Sequence, residues 1–474
     1  MSAPILWNEQ TAAKATGGLA KGSWQATRVE IDSRKVQPGD LFVAIKGDVF
    51  DGHDFVKDAL AKGAVAAVVS RTPEGVAAEK LLVVDDALRG LEDLGRQARQ
   101  GSRAKIVGVT GSVGKTSTKE MLRMALSAHG KTYASSGNYN NHIGTPLNLA
   151  NLPPDAQFAV FEMGMNHAGE ISHLTKMVQP QVAAITTVEA VHIEFFDSIE
   201  GIADAKGEIF EGVPAGGTAV LNRDNAQYAR QLKWVGEHKV ANLLTFGAHE
   251  KSDCRLVEYK PIAGGCAVTA SLMGREISYG MKAVGRHWAM TSLLVLCVSQ
   301  ALGLDAAKTA TALSQFGELA GRGSLAVLKV KGGEATLIDD SYNASPAAMR
   351  AAFAKTREVW QALGGKGRKL AALGNMLELG ADGPAMHSAL AADLKEQGFD
   401  ALFTAGELMQ HLHKAVPEAM RAGHVAKAGE LLPLIRSALK PGDVLLVKGS
   451  HGSKMYELAA ALTQKNDEGK KHAV

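Results

Sequence analysis

The stretch Ile106-Val-Gly-Val-Thr-Gly111-Ser-Val-Gly114-Lys115-Thr116-Ser117 decides the fold. It reads as an apolar strand, a glycine-rich loop and the start of an amphipathic helix. Glycines let several backbone N–H groups converge on one anion, and the N-terminus of the following helix adds partial positive charge. A lysine followed by a hydroxyl residue at the end of such a loop contacts nucleotide phosphates and magnesium. The stretch therefore predicts a phosphate loop in an α/β domain.

The loop departs from the full consensus at one position, because Val109 stands where the first glycine is expected and Gly111 supplies it instead. A glycine-rich turn with a surface lysine is the alternative, and the flanking strand and helix argue against it. The residues predicted to contact the nucleotide here are Thr110, Gly111, Ser112, Val113, Gly114, Lys115, Thr116 and Ser117.

Outward from this loop, apolar runs alternate with helical patterns, which is typical of βαβ units and of mostly parallel, doubly wound sheets. The chain has 474 residues, and at roughly 150 residues per domain this length predicts about three domains. The predicted segments are a first block at 1–86, a connecting helix at 87–103, a central block at 104–318, a third block at 319–464 and a polar tail at 465–474. The central block should contain strands at 105–110, 158–162 and 182–187, and the third block strands at 335–339, 369–373, 401–404 and 444–447.

Composition excludes several classes of protein. Lys plus Arg number 52 and Asp plus Glu 49, so a net charge of +3 does not favour a nucleic-acid binder. Cys254, Cys266 and Cys297 are far apart, which indicates neither a disulfide framework nor a zinc site. The N-terminus lacks the pattern of a signal peptide, and no apolar run approaches the roughly 20 residues of a membrane span. We expect a soluble cytoplasmic protein without membrane insertion.

Polar residues follow the strands predicted after the loop. Glu162 ends one apolar strand and His192 follows the next, at the sheet edge where ligands gather in parallel sheets. Lys206 lies in a predicted helix. Alone, Glu162 could be a helix cap or a salt-bridge partner, His192 a structural histidine and Lys206 a surface lysine. Together with a phosphate loop, they suggest magnesium and phosphoryl chemistry.

Several motifs, taken in order, resemble the Mur ligase family. They run from Asp32-Ser33-Arg34 through the phosphate loop to Val447-Lys448-Gly-Ser450. The others are Gly137-Asn138-Tyr-Asn140-Asn141-His-Ile-Gly144-Thr-Pro146, Glu162-Met-Gly-Met-Asn166-His-Ala-Gly-Glu170-Ile, Ala205-Lys206-Gly-Glu-Ile-Phe, Asp339-Asp340-Ser-Tyr-Asn343-Ala-Ser-Pro346 and Leu373-Gly-Asn-Met-Leu-Glu-Leu-Gly380.

The resemblance implies an α/β enzyme of three domains: a smaller N-terminal domain for a UDP-sugar, a central P-loop ATPase-type parallel sheet and a Rossmann-like C-terminal domain. It implies an ATP-dependent amide ligase that adds D-alanyl-D-alanine to UDP-N-acetylmuramoyl-tripeptide through an acyl phosphate, acting as a monomer. The Asp340 signature favours this amine. A Mur-type or folylpolyglutamate-type ligase with another amine, and a non-catalytic nucleotide-binding module, are the alternatives.

The resemblance also implies roles for single residues. Lys115 would stabilise the transferring phosphoryl group, Thr116 and Glu162 would bind one magnesium ion, and His192 and Lys206 a second. Lys206 would carry a carbamate, since an anionic oxygen ligand suits magnesium better than an ammonium group does. In the third block Arg322 and Asp340 would contact ATP, and Asn343 would shape that surface or the dipeptide site. The residues expected at the UDP-muramoyl-peptide are Ser33, Arg34, Lys46, Asp51, Gly52, His53, Asn138, Asn140 and Asn141.

Three positions depart from the family pattern. Trp288 stands where the family has an adenine-contacting asparagine, so it either stacks on adenine or anchors its helix. His142 and Asn375 each replace an acid. These changes affect the expected details of nucleotide binding more than the reaction class.

Overall fold

A computed structural model of the chain describes residues 4–137, 139–191, 193–262 and 264–464. The predictions for Asn138, His192 and the tail at 465–474 lie outside these residues. The chain forms two compact units. The first comprises Met1–Thr186, Ala203–Thr245 and Leu294–Thr309, and the second comprises Thr187–Ile202, Phe246–Leu293 and Ala310–Val474.

The N-terminal part of the first unit is built on a five-stranded sheet of order β2-β7-β6-β5-β4. Both faces of this sheet are covered by apolar side chains. In the strand at residues 40–43, successive side chains point to opposite faces, so Leu41 and Val43 pack in one hydrophobic core and Phe42 in another. The elements of this part are β1 (Trp7–Asn8), α1 (Glu9–Thr16), β2 (Leu19–Ala20), β3 (Gln25–Ala26), β4 (Arg28–Glu30), β5 (Asp40–Val43), α2 (Val56–Ala61), β6 (Ala66–Val69), β7 (Leu81–Val83) and α3 (Ala87–Gly101).

A parallel sheet of order β12-β11-β8-β10-β9 forms the centre of the first unit. Its middle strands are apolar and buried along most of their length, as parallel strands covered on both faces are. The elements that follow α3 are β8 (Lys105–Thr110), α4 (Lys115–Ser127), β9 (Thr132–Ala134), α5 (Gly144–Ala150), β10 (Phe158–Glu162), α6 (Glu170–Val178), β11 (Val182–Ile185), α7 (Ile199–Gly207), β12 (Thr218–Asn222), α8 (Tyr228–Glu237) and β13 (Asn242–Gly247).

The second unit contains a six-stranded sheet of order β17-β18-β22-β19-β20-β21, parallel except for the β17–β18 pair. It also contains the antiparallel meander β14–β15–β16. The elements that follow β13 are β14 (Cys254–Ile262), β15 (Gly265–Leu272), β16 (Arg275–Met281), α9 (Arg286–Ala301), α10 (Ala306–Leu313), β17 (Ser324–Val330), β18 (Gly333–Asp340), α11 (Pro346–Ala362), β19 (Lys369–Gly374), α12 (Gly383–Glu396), β20 (Ala401–Ala405), α13 (Met409–Ala415), β21 (Arg421–Val425), α14 (Leu431–Ala438), β22 (Val444–Lys448) and α15 (Met455–Thr463). Of these, the parts of α9 and α10 within Leu294–Thr309 belong to the first unit.

The strands expected around the phosphate loop agree with the structure. The strands at 105–110 and 158–162 have the predicted bounds, and the third ends at Ile185, two residues before the predicted end at Thr187. The meander β14–β16 was not predicted, because its strands alternate exposed and buried residues and lack the continuous apolar pattern by which the parallel strands are recognised. None of the helices in the described part of the chain has the length and apolar character that a bilayer crossing needs.

Candidate active site

The phosphate loop connects β8 to α4 and is fixed by the end of the neighbouring strand β11. Gly111 has a φ of 144°, and a Cβ there would lie 1.9 Å from Thr186 Oγ1. The Thr186 hydroxyl donates a hydrogen bond to the Val113 carbonyl at 2.6 Å, and its N–H donates to the Thr110 carbonyl at 2.9 Å. Only glycine fits at residue 111, because the loop passes so close to β11.

Lys115 begins helix α4, and its ammonium donates a hydrogen bond to the Gly111 carbonyl at 2.7 Å. Thr116 is half-buried and Ser117 is buried in the first helical turn. The buried hydroxyl of Thr110 has no hydrogen-bond partner among the described residues. The helix N-terminus, the lysine and these hydroxyls together form a site suited to a polyphosphate.

Glu162 lies at the carboxyl end of β10, where it pairs in register with Val109 of β8. The carboxylate is 3% exposed. Its Oε1 accepts a hydrogen bond from Asn140 Nδ2 at 2.9 Å, whereas Oε2 has no hydrogen-bond partner within the described ranges. The nearest cation is the ammonium of Lys119, 3.9 Å from Oε2. A buried carboxylate oxygen without a partner is costly, so this atom suits a bound cation.

Lys206 lies near the end of α7 and is 2% exposed. Burial, and secondarily the charge of Lys115, lowers the pKa of its ammonium well below the usual value. Within the described part of the chain, this ammonium makes no hydrogen bond or ion pair. Because the charge of Lys115 lowers the pKa of Lys206, the two ammonium groups repel each other. An anion bound near Lys206, or a chemical change that removes its positive charge, would relieve this repulsion.

Asn140 and Asn141 lie on the same loop but contact different groups. Asn140 holds Glu162, and its own carbonyl accepts from the N–H of Gly164 at 2.8 Å. The side chain of Asn141 caps the start of α5 by accepting from the N–H of Gly144 at 2.9 Å. Both asparagines therefore shape the loop, and Asn140 does so beside the candidate metal ligand.

The predicted sugar-binding turn in the first unit has its polar atoms paired within the protein. Asp51 Oδ1 lies 2.6 Å from Nδ1 of the buried His53, whose Nε2 accepts from the N–H of Ser70 at 2.9 Å. Since a backbone N–H can only donate, the ring proton of His53 lies on Nδ1. Arg71 donates to Asp51 Oδ2 at 3.1 Å. The N–H of Gly52 donates to the Ile45 carbonyl at 2.9 Å.

The other predicted residues of the first block lie at the surface. Arg34 is exposed and donates to Asp32 at 2.8 and 2.9 Å. The carbonyl of Ser33 accepts from Lys62 Nζ at 2.9 Å. Lys46 is exposed, next to the turn that contains Asp51. These side chains are accessible to a ligand, and none of them contacts the phosphate loop in the described structure.

The three predicted residues of the third block lie together in the second unit. The guanidinium of Arg322 lies over the ring of Tyr342, 4.2 Å from its centre. The buried Lys448 donates to Asp340 Oδ2 at 2.6 Å and to the Asn343 carbonyl at 2.9 Å. Lys448 thus holds Asp340 and Asn343 in one cluster.

The residues that depart from the family pattern have structural roles. Trp288 is buried in α9 and packs against Phe316 with ring centres 5.2 Å apart, so it anchors its helix. Asn375 accepts from the N–H of Met409 at the start of α13, at 3.1 Å. His142 is exposed.

Sequence reasoning missed two buried residues of this site. Lys119 lies four residues after Lys115 on α4, so helical spacing could have placed both lysines on one face. Its ammonium donates to the Gly137 carbonyl at 3.1 Å. Glu208 contacts the start of α6, and no local pattern reveals this contact because its partners lie 36 and 39 residues away.

Comparisons with known proteins agree over nearly the whole chain. The family models described as "Mur ligase family, catalytic domain", "Mur ligase middle domain" and "Mur ligase, glutamate ligase domain" match residues 25–89, 109–299 and 325–451. The UDP-N-acetylmuramoyl-tripeptide–D-alanyl-D-alanine ligase of Rickettsia prowazekii is 32% identical over 96% of this chain and 99% of the relative.

Two solved structures are similar at comparable coverage. A crystal structure of MurF from Acinetobacter baumannii has a TM-score of 0.84 and 29% identity over 97% of this chain and 99% of that one. MurF ligase from Thermotoga maritima in complex with ADP has a TM-score of 0.78 and 28% identity over 92% and 97% of the two chains.

Proposed function

The chain belongs to the Mur ligase family, and on that premise we propose that it joins D-alanyl-D-alanine to UDP-N-acetylmuramoyl-tripeptide at the expense of ATP. The observation that carries the proposal is the match to a relative of that name over 96% of the chain. The product is the UDP-muramoyl-pentapeptide used to build peptidoglycan.

The chemistry needs an activated acid, because a carboxylate is a poor electrophile at neutral pH. The tripeptide carboxylate attacks the γ-phosphorus of ATP, and ADP leaves with the electron pair of the broken P–O bond. The neutral amine of the dipeptide then attacks the acyl carbon, phosphate leaves with the electron pair of the broken C–O bond, and the nitrogen loses a proton to water as the amide forms. Loop residues 110–117 would cradle the ATP phosphates, with Lys115 on the transferring phosphoryl group. The ADP complex of a 28% identical structure supports nucleotide binding.

Magnesium would neutralise the phosphate charge when bound. Thr116 and Glu162 would hold one ion, and the lack of a hydrogen bond to Oε2 of Glu162 from any described residue supports this assignment. His192 and Lys206 would hold the second ion. The donor set of carboxylate and hydroxyl oxygens fits a hard cation.

The proposal includes a carbamate on the side chain of Lys206. Carbon dioxide reacts only with a neutral amine, and burial that lowers the pKa of Lys206 favours this form. The amine lone pair forms the N–C bond as one C=O π pair moves to oxygen, and the nitrogen then loses a proton to water. The product is an anionic oxygen ligand that would also attract the charge of Lys115.

We assign the remaining predicted residues to substrate contacts. Arg322, Asp340 and Asn343 would contact ATP or the dipeptide from the C-terminal domain. The proposed domains keep their predicted bounds of 1–86, 104–318 and 319–464, with the helix at 87–103 and the tail at 465–474. The UDP-muramoyl-peptide would contact Ser33, Arg34, Lys46, Asp51, Gly52, His53, Asn138, Asn140 and Asn141.

A monomer in the cytoplasm is proposed, and the three buried free cysteines support a reducing compartment.

The test is incubation of the protein with ATP, magnesium, UDP-N-acetylmuramoyl-tripeptide and D-alanyl-D-alanine. We expect one phosphate released per pentapeptide formed, measured by a phosphate assay and mass spectrometry. Single amino acids in place of the dipeptide serve as controls for a ligase with another amine. Phosphate release that does not depend on the dipeptide would contradict the proposal.

A further inference from the structure

Two carboxylates flank Lys206, each two residues away in the sequence Asp204-Ala-Lys206-Gly-Glu208. Each carboxylate is bound to a different helix of the first unit. Asp204 is bound to α8 and Glu208 to α6. The segment that carries Lys206 is therefore attached both before and after the lysine, although the lysine ammonium itself makes no hydrogen bond to the described residues.

Glu208 makes the stronger attachment. Its side chain is buried, and its two oxygens accept hydrogen bonds from the N–H groups of Gly169 at 2.6 Å and Ser172 at 3.0 Å. These N–H groups belong to the first turn of α6, where intrahelical partners are absent and the helix dipole favours an anion. A buried, charge-assisted pair of hydrogen bonds fixes the position of this turn far better than an exposed ion pair does.

The helix that Glu208 caps follows the other candidate metal ligand. Strand β10 ends at Glu162, and α6 begins at Glu170 after a short loop. Glu208 therefore connects the turn after Lys206 directly to the segment after Glu162. Groups that act on one substrate must be held to within about 0.5 Å, and this connection sets the distance between the two segments.

Asp204 makes the weaker attachment, which joins the segment to α8. It is partly exposed and accepts from Arg230 at 2.5 Å and from Trp234 Nε1 at 2.9 Å. Trp234 also covers Gly207, where a Cβ would lie 2.5 Å from the indole ring. The contacts of Asp204 and Gly207 thus attach the segment to α8, whereas Glu208 alone of these residues attaches it to α6.

We propose that Glu208 is a positioning residue for Lys206, which it fixes relative to Glu162 by capping α6. The proposal rests on the proposed role of Lys206 as a carbamylated metal ligand. Glu208 acts through the backbone of the turn and touches neither nucleotide nor peptide.

The test compares Glu208→Gln with the matched control Glu211→Gln. Glutamine keeps the shape of Glu208 but offers one acceptor oxygen instead of two, so one N–H of α6 loses its partner. Glu211 binds the same helix through side chains, with Ser172 at 2.6 Å and Lys176 at 2.7 Å. Both variants weaken the attachment of α6, but only the first releases the turn next to Lys206.

Three quantities are measured for each protein: kcat and KM, the thermal unfolding temperature, and the carbamate signal in ¹³C NMR after equilibration with ¹³C-bicarbonate. For Glu208→Gln we expect kcat to fall about 10–100-fold, as for other groups that orient metal ligands. KM should change little and the carbamate signal should weaken. Glu211→Gln should keep the wild-type kcat and signal. Glu208→Asp, which keeps the charge with a shorter reach, should give an intermediate kcat.

The outcomes distinguish the positioning role of Glu208 from the proposed carbamate on Lys206. If wild type shows the carbamate and Glu208→Gln keeps both the full signal and the wild-type kcat, the inference is wrong. Equal losses in the Glu208 and Glu211 variants would also overturn it, because they would indicate general destabilisation of α6. If wild type itself shows no carbamate, the proposed role of Lys206 is contradicted, and the inference is overturned with it.

Discussion

The sugar-binding turn and the phosphate-loop site, both in the first unit, differ in how completely their polar atoms are paired. Both oxygens of Asp51 and both ring nitrogens of His53 have partners within the protein. At the phosphate loop, Glu162 Oε2 and the Thr110 hydroxyl are buried without a hydrogen-bond partner in the described part of the chain. Since buried polar groups are normally paired, the hydrogen bonds of the first set hold the turn in one conformation, whereas the second set is left open for ligands.

The largest effect is expected at Lys206. Lys206→Ala should lower the ligation rate on the order of 10³-fold or more, a loss comparable to that of other groups that stabilise phosphoryl transfer. Acetate or formate should restore part of the rate by occupying the space of the carbamate. The measurement is phosphate release with and without added carboxylate. A variant with near wild-type ligation rate would show that Lys206 has no role in the reaction.

Glu162 is expected to show the next largest effect. Glu162→Gln removes the charge but keeps an oxygen to accept from Asn140, so ligation should fall by about 10²-fold while the protein remains folded. Steady-state rates at several magnesium concentrations, with circular dichroism as the check on folding, measure this. Full activity at ordinary magnesium concentration would show that the unpaired oxygen has no catalytic role.

His53 tests the sugar-binding turn, whose polar atoms are paired within the protein. His53→Ala leaves the N–H of Ser70 without its partner and removes one of the two hydrogen bonds to Asp51 Oδ1, which should cost about 1–3 kcal/mol in the free energy of unfolding. The kcat should be unchanged. Urea unfolding and kinetics with the UDP-substrate measure both. An unchanged free energy of unfolding would contradict this account of the turn.

The smallest effect is expected at the exposed pair of Arg34 and Asp32. The side-chain hydrogen bond from Arg34 lowers the pKa of the Asp32 carboxyl from its ordinary 3.8 to about 2. A depressed carboxyl pKa stabilises the folded state above the unfolded pKa, and the contribution is lost as pH falls through 3.8 toward about 2. Arg34→Ala should lower the unfolding temperature slightly at pH 5–7 and progressively less below about pH 4. A difference that grows on acidification would contradict this assignment.

The parts of the molecule visible in the sequence are those set by local pattern. The resemblance to the Mur ligase family and the α/β class with parallel sheets are confirmed by the comparisons. Strands β8 and β10 were predicted because their apolar runs are continuous and the glycine loop marks where β8 ends. The assignment of the individual site residues stays a prediction.

Features that depend on distant contacts were not visible. The sequence cannot indicate that Glu208 caps α6, that Lys119 lies beside Glu162, or that Asn140 donates to the same carboxylate, because tertiary packing brings these groups together. For the same reason, Asp51 and His53 carry the family motif without revealing that their polar atoms are paired internally.

The most direct test of the difference between the paired turn and the open phosphate-loop site is the affinity for Mn²⁺ in the presence of ADP. Electron paramagnetic resonance measures this affinity for wild type, Glu162→Gln and His53→Ala. If the unpaired oxygen of Glu162 is a cation ligand, Glu162→Gln should bind Mn²⁺ at least about 10-fold more weakly, and His53→Ala should bind it as wild type does. Equal Mn²⁺ affinity in wild type and Glu162→Gln would contradict the account.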